Sequence, residues 1–155
     1  MRKRIATVLV PVALVAAAIA ALPLAQAGTP NRNHAVNTTV KSKDVETRGD
    51  VTIDAALVTD RRLGEGAGLL RTSAIEGTTR AALRFKVFYP SGLQRGEGSL
   101  TITGAQPDGT VTFTGNARYT GGTNRFRGIT GRLEIEGTVA PDGFVLATAR
   151  GNARY

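Results

Sequence analysis

Cysteine is absent from the 155-residue chain, and histidine occurs once, at His34. The first absence removes thiol nucleophiles, thiolate metal sites, disulfides and the lipid-bearing cysteine of a lipoprotein. The second leaves a Ser-His-Asp triad without its base and a histidine-based metal centre without ligands, so His34 reads as a solvated residue of a polar leader. Past the N-terminal run, no window repeats its apolar residues with the 3.6-residue period of a helix. No metal and no cofactor is expected.

The N-terminus carries an export pattern. Arg2, Lys3 and Arg4 precede an apolar, alanine-rich run from Ile5 to Leu24, and Ala25-Gln26-Ala27 then supplies the small-x-small exit that signal peptidase reads. A retained membrane anchor is the alternative, because the run is near spanning length. The clean exit, Pro11 and Pro23 favour cleavage between Ala27 and Gly28. The expected organisation is a helical signal peptide over 1–27, a flexible leader over 28–34 and a single domain over 35–155, in a secreted protein. Removing 27 residues leaves 128, long enough to bury a core without covalent staples. With the signal gone the formal charge falls from +8 to +5. A sequence pI near 10.8 suits anionic surfaces, or simple solubility.

What remains is β sequence. Short runs rich in Val, Ile, Thr, Leu and Phe are separated by Pro90-Ser91-Gly92, Pro107-Asp108-Gly109, Pro141-Asp142-Gly143 and the Asp60–Gly66 stretch. They divide the domain into eight strands, about 35–43, 51–60, 66–75, 79–89, 95–104, 110–119, 126–138 and 144–155. Alternation is cleanest where Ala81, Leu83, Phe85, Val87 and Tyr89 oppose Arg80, Arg84 and Lys86, and where Leu133, Ile135 and Val139 oppose Arg132, Glu134 and Glu136. The second strand is apolar on both faces (Ala56 and Val58 against Ile53 and Leu57), which predicts an outer cover from a loop or a partner subunit. Long strands with many glycines at inward positions favour a barrel over a flat sandwich. The expected fold is all-β, an eight-stranded antiparallel up-and-down barrel. The repeat GNARY, at Gly115–Tyr119 and Gly151–Tyr155, then brings Tyr119 and Tyr155 to one rim from the inside.

The stretch TGGTNRFRGITG (Thr120–Gly131) is glycine-rich but is no phosphate loop. It lacks the lysine and the following helix of a Walker loop and the βαβ setting of a dinucleotide fingerprint. It reads as a turn, with Arg125 and Phe126 opening the return strand. The same residues resemble the Gly-Gly-Thr-Gly-x-[Phe/Tyr] signature of the allene oxide cyclase-like and dirigent-like barrel superfamily. DRRLGEGAG (Asp60–Gly68) and the run from Tyr89 into the signature are similar to the corresponding segments in order. The resemblance spans about Val51–Leu133 and implies an eight-stranded barrel with an apolar cavity, often a homotrimer. It also implies either cyclisation of a fatty-acid epoxide or steering of phenolic radical coupling. Asn124 departs from the signature's last glycine, and no catalytic residue of either branch aligns to a position here.

The expected function is therefore binding of a small apolar or phenolic ligand inside the barrel, without membrane contact after cleavage. Leu83, Phe85, Val87, Phe113, Leu133 and Ile135 are expected to line the interior, with Tyr119 and Tyr155 at a rim. Two alternatives stand beside it. One is a cyclase or isomerase using the cavity as a mould and, as acid, a tyrosine or Asp54, the carboxylate expected to face inward unless it is a solvent-facing or interface residue. The other is a packed barrel whose outer arginines (118, 125, 127, 132, 150 and 154) bind an anionic polymer, although Glu134 and Glu136 on the same face suggest ion pairs instead.

Overall fold

The computed structural model describes residues 32–155; the expected signal peptide, its Ala27–Gly28 cleavage point and most of the leader lie outside the described residues. The strands run β1 (Asn33–Arg48), β2 (Val51–Asp60), β3 (Gly64–Ala74), β4 (Arg80–Tyr89), β5 (Gly92–Ala105), β6 (Val111–Gly122), β7 (Thr130–Val139) and β8 (Phe144–Arg154). Each pairs antiparallel with the next, and β8 closes on β1, giving one closed eight-stranded barrel. β1 begins inside the stretch read as leader, because Asn33 and His34 pair with Arg154 and Ala153.

Up-and-down winding gathers the β1–β2, β3–β4, β5–β6 and β7–β8 turns at one end. The other three turns, the start of β1 and the end of β8 gather at the opposite end. Aspartates cap the turns as their sequences predict: Asp60, Asp108 and Asp142 accept the backbone N–H two residues on, at 2.8, 2.8 and 3.1 Å. Asp60 also accepts from Leu63 N–H and, at 2.8 Å, from the buried hydroxyl of Thr38, which ties β1 to the β2–β3 turn.

Inward glycines make room for aromatic rings on neighbouring strands. A Cβ on Gly137 would stand 2.6 Å from the Phe113 ring, and one on Gly66 would stand 2.9 Å from the Tyr89 ring. The ring takes the space that two opposed side chains would otherwise contest.

Phe126 does not open the return strand. It ends a single 3-10 turn, Asn124–Phe126, and β7 starts at Thr130. The turn inverts the chain so that Phe126 and Ile129 drop into the barrel end, 0 % and 2 % exposed. Phe126 meets Tyr89 at 6.0 Å and Tyr155 at 5.0 Å between ring centroids. The loop is pinned to the β4–β5 turn by Thr123 N–H donating to Leu93 O (2.9 Å) and Leu93 N–H donating to Thr123 Oγ1 (3.1 Å). Asn124 takes φ 52°, the one positive φ outside glycine among the described residues. Asparagine is among the side chains that tolerate this region best.

Candidate functional site: a cavity open at one end

Side chains do not fill the barrel. A cavity of about 580 Å³ runs from a floor of Thr38, Tyr89, Gln94 and Tyr119 to a mouth framed by Thr47, Thr78, Thr79, Arg80, Val111 and Gly143. The Phe126–Ile129 plug lies beneath the floor. The volume falls within the range of small-molecule sites, and an eight-stranded barrel is wide enough to hold one small ligand.

The wall is two-sided. β4–β8 contribute a mainly apolar lining in which Leu83, Phe85, Val87, Phe113, Leu133 and Ile135 all take part. Phe85 and Tyr119 meet edge to face at 5.9 Å. β1–β3 contribute the polar side chains Thr38, Ser42, Asp44, Thr52, Asp54 and Thr72. Inward parity explains each: Thr38 and Ser42 share a face with Val36 and Val40, and Asp54 shares one with Ala56 and Val58.

Asp54 is 6 % exposed, and burial pushes its carboxyl pKa up, with the charge of Asp44 adding to the rise. The two are direct register partners across β1–β2. A β-bulge follows Asp44, leaving Val45 outside the ladder and returning Thr47 to the cavity side. Ser42 is 2 % exposed, and its Oγ has no hydrogen-bond partner among the described residues. Of the polar side of the wall, Asp54 stood out in the sequence but Ser42 did not, although the parity of Val36 and Val40 places it inward.

Burial also pushes up the phenol pKa of Tyr89 and of Tyr119, so both remain neutral donors at the floor. Tyr155 shares the end of the barrel that Tyr119 occupies but does not line the cavity. Its ring is half-buried beneath the floor, 4.7 Å from His34 and under the Arg125 guanidinium. His34 is thus part of the folded barrel, not a solvated tail. Its pKa is lowered by desolvation and then by Arg62, Arg125 and Arg32, and the Arg62 guanidinium donates to Nδ1 of the neutral ring. Among the described residues no three His, Cys, Asp or Glu side chains converge as metal ligands.

Outside, Glu97 pairs with Arg118 at 2.7 Å and Glu136 with Arg150 at 3.1 Å, so ion pairs interrupt the arginine stripe. Leu57, Leu69 and Phe88 face outward on β2–β4, each about half exposed. Comparison with protein-family models, curated proteins and solved structures returns no match to this chain. Fold and site together define a closed up-and-down barrel with a mainly apolar cavity that carries polar side chains on β1–β3.

Proposed function

We propose that this is a secreted barrel that binds one small apolar or phenolic molecule, related to the allene oxide cyclase-like and dirigent-like proteins. The observation that carries the reading is the 580 Å³ cavity, whose β4–β8 wall is mainly apolar and whose polar side chains stand on β1–β3, at the floor and at the mouth. The positive φ of Asn124 supports the relationship, since it stands where the family signature has glycine. The outward Leu57, Leu69 and Phe88 support a homotrimer packed through outer faces.

Native mass spectrometry of protein collected from an exporting host tests both parts at once. A non-covalent adduct, or saturable one-to-one uptake of the apolar dye N-phenyl-1-naphthylamine, is the expected result. Protein that carries no adduct and takes up no dye overturns the reading.

A second reading, a cyclase or isomerase, is favoured by one observation: a buried carboxyl whose pKa is raised, facing an apolar cavity. Such a group can give a proton to an epoxide or quinone methide. Asp54→Asn would abolish turnover while leaving dye uptake intact; turnover that survives the substitution removes this reading.

A further inference from the structure

The charge lining the cavity is unevenly placed. Asp44, Asp54 and Arg80 are its charged lining residues. Arg80 sits at the mouth in the outward register, opposite Thr101, and is exposed. The two carboxylates belong to the inward face of β1–β2, paired in register, and Asp54 is deep in the wall. Ser42 lies two residues before Asp44 on the same face and pairs with Ala56, which lies two residues after Asp54. Three oxygen-bearing groups thus cluster on one patch. One of them, the Ser42 hydroxyl, is almost wholly buried and unpartnered.

Each candidate head group meets this patch differently. A carboxylate would add a third negative charge beside two. A hydroxyl would donate a single hydrogen bond and leave the repulsion between the aspartates in place. An ammonium brings a compact positive charge with up to three donors, enough for both carboxylates and the serine oxygen. Hydrogen bonds to charged groups are also the stronger kind.

We propose that the cavity takes an amphiphilic cation, an amine on an apolar body, with its ammonium held by Asp44, Asp54 and Ser42 and its body against Phe85, Phe113 and Leu133. This rests on the cavity being a ligand site and names the class of ligand. The apolar part is held by area alone and carries little specificity. Discrimination therefore falls to the β1–β2 patch.

Three probes of one chain length separate the possibilities: dodecylamine, dodecanol and dodecanoate, each displacing N-phenyl-1-naphthylamine at pH 7 below its micellar concentration. Dodecylamine is expected to bind about tenfold or more tighter than dodecanol, the ratio for one charge-assisted hydrogen bond. Dodecanoate is expected to be the weakest. Asp54→Asn should bring the affinities for dodecylamine and dodecanol close together, removing most of the amine preference. The exposed Asp44→Asn, which does not disturb the barrel wall, should reduce it. An NMR titration should show the Asp54 midpoint falling when dodecylamine binds. If dodecanol or dodecanoate binds as well as the amine, or if both variants keep the preference, the cationic class is wrong although the cavity still binds. If the dye binds but none of the three displaces it, the inference fails while the proposed function stands; if the dye itself does not bind, both fail.

Discussion

Asp44 and Asp54 are paired directly across the β1–β2 ladder, and both turn into the barrel. An acidic pair at this position sets how stability depends on pH. Burial and Asp44 raise the folded-state pKa of Asp54 above the ordinary 3.8. Folding therefore favours the protonated carboxyl. The contribution is full below the unfolded-state pKa and is lost as pH rises through the higher folded-state value. Thermal melts should show wild type losing stability across that window. Asp54→Asn should flatten the loss and melt a few degrees higher than wild type at neutral pH. A variant that is less stable at pH 7, with an unchanged pH profile, would show that the carboxylate is compensated within the fold.

The plug should matter more than any single wall residue. Phe126 is fully buried against Tyr89 and Tyr155. Phe126→Ala is expected to cost about 3–5 kcal/mol, as full truncation of a buried aromatic does. Urea denaturation reads the loss, and dye uptake by the surviving folded fraction should become faster as a second entrance opens. An effect below about 1 kcal/mol would mean that the plug is dispensable.

Gly137 tests the pairing of glycine with aromatic ring. A methyl group there would meet the Phe113 ring at 2.6 Å and the Leu146 carbonyl at 2.7 Å. Gly137→Ala should destabilise by about 1–3 kcal/mol, the usual range for overpacking. Gly77→Ala provides a contrast, since open space surrounds that position and any cost there comes from its φ of 70° alone.

Ser42→Ala removes an orphaned hydroxyl. The empty barrel should gain on the order of 1 kcal/mol, because a buried polar group without a partner is a cost to the fold. Binding of a donor-bearing ligand should weaken at the same time. Chemical denaturation with and without dodecylamine measures both, and a destabilised empty barrel would contradict the orphaned state of Oγ.

The Arg118–Glu97 pair should contribute little. Both side chains are largely exposed, although hydrogen bonding to Arg118 lowers the Glu97 pKa. Glu97→Gln is expected to leave stability essentially unchanged, as loss of an exposed ion pair usually does, measurable by urea denaturation at low and at high salt.

Much of the barrel was legible because its code is local. Alternation at Ala81–Tyr89 and Leu133–Val139, together with the aspartate-capped turns, specified strands, faces and the inward set. Legibility stopped where the decisive contact is distant. Arg125-Phe126-Arg127 alternates like a strand, yet Phe126 leaves that pattern to bury itself against Tyr89 and Tyr155, some forty residues before it and thirty after. His34 reads as a tail because its partners, Tyr155 and Arg62, are supplied only by barrel closure and the next hairpin. Ser42, flanked by Lys41 and Lys43, reads as surface until parity with Val36 and Val40 is carried through. Which end of the barrel closes is not read from the sequence, because Phe126 and Ile129 in the β6–β7 connection read as the start of a strand and not as a plug.

Among the described residues, closure of one end by Phe126 and Ile129 makes the barrel a vessel whose door is the other end. A guest of the proposed kind, with its polar head on the β1–β2 patch, would enter tail first and rest with that head near the doorway, where Asp44 lies beside the turn at Gly143. Arrival and departure then follow the same path in opposite order. A receiving protein could take hold of the head group before the tail has left, so this architecture suits handing a molecule on as well as storing it.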